Sequence, residues 1–270
     1  MTNRRVAVAA LVVLAFTAPL PSPAAETARQ ILDRRKALED GVQHWNDRHQ
    51  RMHMTIHDKQ GGERVRELEI WEKKYPGDQT KSLAVFHTPA EVKGTAFLAF
   101  TYKGKRADQW LYLPELKRVR QITAGARKEK FVGTDLTYHD LDLIAELASW
   151  TEADAKSSLR APETIDGTPC LVVELAPQQE DVLYKKIVLW LGQEDLFPRK
   201  LEFFDEGDAP RRRILQSDVQ MHGTVPSAGK IKAETPPAET YTDIVVSDVQ
   251  FNQGLSDDVF TQRQLELGAP

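Results

Sequence analysis

From residue 52 to residue 249 the chain keeps returning to one pattern, apolar residues at every second position followed by a short polar or glycine-containing break. In an extended strand successive side chains point to opposite faces, so this period gives each segment one face to bury. Met52, Met54 and Ile56 alternate with polar neighbours, Asp58-Lys59-Gln60-Gly61-Gly62 is a turn, and Leu68, Ile70 and Trp71 follow within residues 65–75. That is a hairpin signal. Further strands are predicted at residues 82–87, 96–102, 109–113, 117–122, 170–176, 185–191, 200–205, 214–221, 230–234 and 241–249. Short connections favour antiparallel neighbours. Residues 223–229 and Pro236-Pro237 read as breaks between the last strands, and Leu255-Ser256-Asp257-Asp258-Val259-Phe260 as a capped turn that carries Phe260 into the core. About a dozen strands with little helix make a mainly β protein. Curving or closing such a sheet removes its exposed edges and leaves an interior for side chains or a ligand.

Two segments depart from the two-residue period. Residues 27–42 place Ala28, Ile31, Leu32, Arg35 and Leu38 at helical spacing, with Gly41 near the end. Residues 136–150 do the same with Leu141, Ile144, Ala145, Leu147 and Ala148, between Tyr138 and Trp150. No internal repeat or low-complexity linker divides the chain, so residues 26–270 read as a single domain.

Residues 1–25 read as a signal peptide: Arg4 and Arg5, an apolar stretch from 6 to 16, then Ser22-Pro23-Ala24-Ala25, with the cut after Ala24 or Ala25. The apolar run falls short of the roughly 20 residues that span a bilayer, and no later run approaches that length, so no stable transmembrane segment is expected after its removal. The single cysteine, Cys170, is far from the cleavage site. Neither a lipid anchor nor an internal disulfide is expected, which leaves a large β core to stabilise an exported, periplasmic protein. Losing Arg4 and Arg5 leaves 34 basic against 40 acidic residues, a balance that offers no electrostatic footprint for nucleic acid.

One stretch is more particular than composition requires: Lys81-Ser82-Leu83, Thr88-Pro89-Ala90-Glu91-Val92-Lys93-Gly94-Thr95-Ala96-Phe97-Leu98, Asp108-Gln109-Trp110-Leu111-Tyr112-Leu113-Pro114-Glu115-Leu116-Lys117-Arg118-Val119-Arg120, and Phe131-Val132-Gly133-Thr134-Asp135-Leu136-Thr137-Tyr138. It resembles the LolA-like outer-membrane lipoprotein-sorting protein family, most specifically in the Gln-Trp-Leu-Tyr-Leu-Pro block. Asp248-Val249-Gln250-Phe251-Asn252 and Asp257-Asp258-Val259-Phe260 are similar too. The resemblance implies a curved antiparallel sheet forming a half-open β-barrel covered by helices, with an apolar cavity for the acyl chains of a lipoprotein or other lipid. It also implies a membrane partner, either an inner-membrane transporter of the RND type or an outer-membrane acceptor. The classical carriers of the family are shorter than this chain.

A lipid chain has no hydrogen-bonding groups to read, so a carrier needs apolar area facing a cavity, at about 25 cal/mol per Å² removed from water. The candidate lining residues are Met52, Met54, Ile56, Leu68, Ile70, Leu83, Val85, Leu98, Phe100, Trp110, Tyr112, Leu171, Val173, Leu175, Ile187 and Leu189. The same alternation serves a filled core, and periodicity does not separate the two. Trp71, Trp110, Trp150 and Trp190 suit either a cavity mouth or the core. Lys117, Arg118, Arg120, Arg127, Lys128 and Lys130 suit either phosphate headgroups or a solvated face, and Arg211-Arg212-Arg213 reads as a charged edge.

Catalytic readings find little. His49, His53 and His57 recur every four residues, but Met52, Met54 and Ile56 make this a strand, on which His53 and His57 lie about 13 Å apart, too far to share an ion. Tyr138-His139-Asp140 with Asp142 are sequence neighbours on a helix and do not face one another. No nucleophile elbow, phosphate loop or HExxH helix is present, and Cys170 sits in a strand as a buried thiol. The expectation is a carrier that is not an enzyme and needs no cofactor or metal, its helical cover moving aside to admit acyl chains. The alternative is an envelope interaction or sensor module with a packed interior.

Overall fold

The computed structural model describes residues 26–270, and the signal-peptide reading lies outside the described residues. Thr27 caps the first helix, α1 (Ala28–Asp40), through a reciprocal pair of hydrogen bonds with Gln30 that satisfies two otherwise orphaned amides. Thirteen strands follow in one curved, unclosed antiparallel sheet. The first six are β1 (Asp47–His57), β2 (Glu63–Tyr75), β3 (Gln79–Thr88), β4 (Ala96–Tyr102), β5 (Lys105–Leu113) and β6 (Arg118–Gln121). The second seven are β7 (Ala155–Ile165), β8 (Thr168–Pro177), β9 (Lys186–Gly192), β10 (Pro198–Phe204), β11 (Arg212–His222), β12 (Val225–Thr235) and β13 (Thr240–Phe251).

The strand order is β6-β5-β4-β3-β2-β1-β13-β12-β11-β10-β9-β8-β7. Every neighbour is therefore sequential except β1 and β13, whose pairing (Met54 opposite Ile244) zips two meanders together. The one long connection, residues 122–154, leaves the β6 edge and enters the β7 edge, so it must cross the sheet. It carries α2 (Tyr138–Glu146). A last helix, α3 (Gln262–Leu267), follows the turn that buries Phe260.

Three features depart from the sequence reading. Strand β7 went unpredicted because its residues are mostly polar and exposed, with Pro162 and a register shift between Arg160 and Glu163. These are the devices that blunt an open edge, and they erase the apolar alternation by which strands are recognised. Strand β12 runs straight through Gly229, where a Cβ would lie 2.9 Å from the Asp218 carbonyl; glycine there marks close approach of two strands and not a break. The Arg211-Arg212-Arg213 run is not a sheet edge, since β11 lies between β10 and β12. Arg213 pairs with Glu202 and Glu234 on those two neighbours, and Arg212 turns inward.

Strand alternation sorts the apolar side chains onto two faces. Val173, Leu175, Ile187, Leu189 and Leu191 share the inner face with α1 and the 122–154 crossover. Cys170, Val172, Val188 and Trp190, one residue out of phase, share the outer face. There Lys200 lies 3.5 Å from the Trp190 ring centroid and Lys186 lies 4.2 Å from that of Phe204, long aliphatic stems covering an apolar patch.

Candidate functional site

Ten of the sixteen candidate residues face inward. Met52, Met54, Leu68 and Ile70 belong to the first half of the inner face, Leu171, Val173, Leu175, Ile187 and Leu189 to the second, and Ile56 keeps the phase of Met54. The other six do not join them. Leu83, Val85, Leu98, Phe100, Trp110 and Tyr112 pack on the outer face against Val259, Phe260 and Leu265. Their inner places are taken by Ala84, Phe86, Phe97, Ala99 and Leu111. Strands β3 and β4 are buried on both faces, so their apolar runs are continuous and give no alternation from which to choose a face.

The inner face is filled by the crossover. Phe131 and Tyr138 meet edge-to-face at 5.8 Å and pack against Phe97, at 5.2 and 5.6 Å, while Phe86 closes the cluster at 5.7 Å from Phe131. Leu136, Leu143, Leu147 and Trp150 cover Val173, Leu175, Ile187 and Leu189, with Ile31 and Leu32 of α1 beside them. Each such large side chain contributes about 1.5–3 kcal/mol on burial. Residues 122–154 thus form a plug in the half-barrel, and α1 closes over it, tied by Arg29 to the Trp150 carbonyl (2.9 Å) and by Lys36 to Asp78 (2.9 Å).

Beneath this apolar packing the plug is fastened by buried polar groups. Asp135 is wholly buried and accepts from Thr235 (2.8 Å), Thr242 (3.0 Å), Thr240 and Lys130 (3.1 Å). Burial opposes its ionisation, but the Thr240, Thr235 and Lys130 donors outweigh this and hold its carboxyl below the usual range. Asp140, also wholly buried, caps α2 with Thr137 and accepts from the Tyr184 hydroxyl (2.5 Å) and Arg212 Nε (3.3 Å). Arg212 also donates to Thr235, and Gln109 donates to the Tyr138 carbonyl (3.0 Å). Such a network adds little net stability over an apolar core, yet leaving it half made is costly. It acts as a latch that sets where the plug sits.

Above α2 lies a polar cavity of about 70 Å³ between the β4–β5 turn and the β8–β9 connection, lined by Arg127, His139, Asp142, Glu146 and Asp181 among others. Arg127 reaches Asp142 (2.9 Å) and His139 Nδ1 (2.8 Å), while the Leu183 amide meets His139 Nε2 (3.2 Å). Burial and the Arg127 charge push the imidazole down to about 4. Burial and the neighbouring Asp142 push Glu146 up to about 8, and burial raises Asp142 despite Arg127.

These shifts predict an unusual pH profile. Between pH 4 and 6.5 the unfolded chain holds the extra proton at His139, so that residue makes stability rise with pH. Between pH 4.5 and 8 the folded chain holds the extra proton at Glu146, so stability falls as pH rises. The two oppose each other up to 6.5, and above it His139 no longer offsets Glu146. At 1.36 kcal/mol per unit, stability is expected to drop by about 2 kcal/mol from pH 6.5 to 8. Urea titrations across that range should show the drop, and Glu146→Gln should abolish it; a flat wild-type profile contradicts the assignment.

A family model described as that of an uncharacterised protein, DUF1329-like, matches residues 78–267, more than half of the chain. The chain belongs to this family. A DUF1329 family protein from Desulfovibrio piger has the same fold, with a TM-score of 0.79 at 24% identity over 88% of this chain and 97% of its own. A domain from Vibrio parahaemolyticus, described as an outer membrane lipoprotein-sorting protein domain, gives a TM-score of 0.79 at 28% identity, also over 88% and 97%. A LolA superfamily protein from Nitrosomonas europaea gives 0.65 at 21% identity over 89% and 100%. The DUF1329 fold here is thus the LolA-like curved sheet. No curated protein matches.

Other candidate groups of this DUF1329 chain resolve individually. His49, His53 and His57 stand on the outer face of β1, beside Glu69, Glu67 and Glu63, and among the described residues no group of three or more His, Cys, Asp or Glu is poised for a metal. Trp71, Trp150 and Trp190 are core residues of three separate clusters, and Trp110 is half-buried in that of Trp71. Of the basic set, Arg127 is buried in the cavity, Lys130 serves Asp135, Arg120 pairs with Glu129, and Lys117, Arg118 and Lys128 are exposed. Of the sequence neighbours Tyr138, His139, Asp140 and Asp142, His139 and Asp142 share Arg127 at the cavity, while Tyr138 and Asp140 find other partners. Among the described residues no helix is long and apolar enough to cross a membrane.

Proposed function

We propose that this protein is a periplasmic carrier, not an enzyme, that takes the acyl chains of a lipoprotein or another lipid against its inner sheet face when α1 and the plug swing aside. The observation that carries the reading is the plug itself. An apolar half-barrel is filled by a segment that contributes no named strand to the sheet and, apart from a backbone bond at each end (Ile122 to Gln109, Gln178 to Asp154), is fastened through side chains. Such a segment can leave without unpairing the sheet. Likeness to the Vibrio domain described as lipoprotein-sorting supports the choice of cargo class. A membrane partner, either an RND-type inner-membrane transporter or an outer-membrane acceptor, would supply or receive the cargo.

The filled interior favours a second reading, an envelope interaction or sensor module whose core stays packed. Native mass spectrometry with lipid extraction of protein purified from its own envelope separates them. The carrier is expected to retain acyl lipid in stoichiometric amount; protein free of lipid that also fails to take it up from vesicles supports the module.

A further inference from the structure

We propose that the cavity above α2 is a binding site for a primary ammonium group, held between Asp142 and Glu146. The site is complete with the plug in place, so the inference does not rest on the carrier reading. Asp142 is 3% exposed, and its Oδ1 is buried with no hydrogen-bond partner, while its other oxygen takes Arg127. Glu146, four residues on and so on the same side of α2, lines the cavity and has no cationic partner among the described residues. The third carboxylate, Asp181, lies 3.8 Å from Arg127. The remaining cation, Lys105, is drawn away over the Tyr102 ring at 3.8 Å. Three carboxyl groups therefore face one engaged guanidinium, so that even with Glu146 protonated the carboxylates outnumber it.

The chemistry of the bound cation follows from what surrounds it. An anion would meet Asp142, Glu146 and Asp181. A divalent metal would meet Arg127, and no metal-poised group is present among the described residues. A primary ammonium brings three N–H donors, enough for Asp142 Oδ1 and Glu146 together. About 70 Å³ admits such a head on a short stem but leaves little room for a quaternary one, which also has no donor to offer. Burial resists the ionisation of Glu146 most; of the groups that face it, Asp142 and Asp181 resist it too, while the Trp150 indole and Arg127 favour it. Binding the cation reverses this, so Glu146 releases its proton to solvent as the ammonium enters. The ammonium belongs either to a free amine or to an aminoethyl lipid headgroup, since both present the same group.

Isothermal titration of the purified protein with ethylammonium chloride is the test, beside tetramethylammonium chloride at equal ionic strength. Vesicles of phosphatidylethanolamine against vesicles of phosphatidylcholine form the second arm. Saturable binding of ethylammonium only, tightening roughly tenfold from pH 6.5 to 7.5, is expected. Glu146→Gln, which mimics the protonated carboxyl and so keeps the fold, should weaken binding at pH 8 at least about tenfold and remove the pH dependence. Binding to phosphatidylethanolamine vesicles without binding of the free amine assigns the headgroup as the source. Equal response to tetramethylammonium, unchanged affinity in Glu146→Gln, or no saturable binding in either arm overturns the proposal.

Discussion

Arg212→Met is expected to lower the unfolding free energy by about 3–5 kcal/mol. Arg212 is 7% exposed and donates to Asp140, which is wholly buried and has no other cationic partner among the described residues. Removing the guanidinium strands a carboxylate inside the protein, and its cost is that of an uncompensated buried charge rather than of one lost bond. Two comparisons isolate the cause. Arg51→Met, at a 59% exposed side chain on the outer face, should stay within about 0.5 kcal/mol of wild type. Adding Asp140→Asn to Arg212→Met should recover most of the loss, because the amide still caps Thr137 and carries no charge. Urea denaturation with unchanged m-values reads all three.

Tyr184→Phe is expected to speed capture of a fluorescent long-chain acyl probe by about 10- to 100-fold. The Tyr184 hydroxyl joins the sheet side of the interior to Asp140 of the plug across 2.5 Å, and a hydrogen bond to a charged group is worth about 1.5–3 kcal/mol. Each 1.4 kcal/mol is a factor of ten in the population with the latch open. Phe260→Ala is the control that separates opening from general weakening. Phe260 is 2% exposed beneath the outer face, and its truncation should cost about 3–5 kcal/mol while leaving capture unchanged. If both variants capture lipid faster, the plug is not the gate.

Much of the architecture is legible in the residues, and the parts that are not share a physical reason. Met54, Leu68 and Leu175 declare their face because less buried residues flank them in the strand. Leu83, Val85 and Leu98 do not, because β3 and β4 are covered on both sides and their apolar character is uninterrupted. Strand β7 is illegible for the opposite reason, since an edge strand protected by polar residues and Pro162 looks like a loop. The latch is hidden most deeply. Thr137 and Asp140 read only as members of a segment of helical spacing, and Arg212 sits in a run of three arginines that reads as a charged edge. That all three are buried against one another follows only from the crossover running over β11 and β12. A wholly polar cluster inside an apolar half-barrel has no periodic signature, because its order is set by tertiary contact.

On the proposed carrier function, acyl chains occupy the inner face after the plug leaves it. Photo-cross-linking with a diazirine-bearing acyl probe, mapped by peptide mass spectrometry alongside hydrogen exchange, tests it most directly. Labels are predicted on the peptides bearing Met54, Leu68, Leu175 and Leu189, with exchange rising across residues 131–150 as the probe binds. Labels confined to the outer-face residues Leu83, Leu98 and Phe100, or inner-face labelling with residues 131–150 still protected, would contradict it.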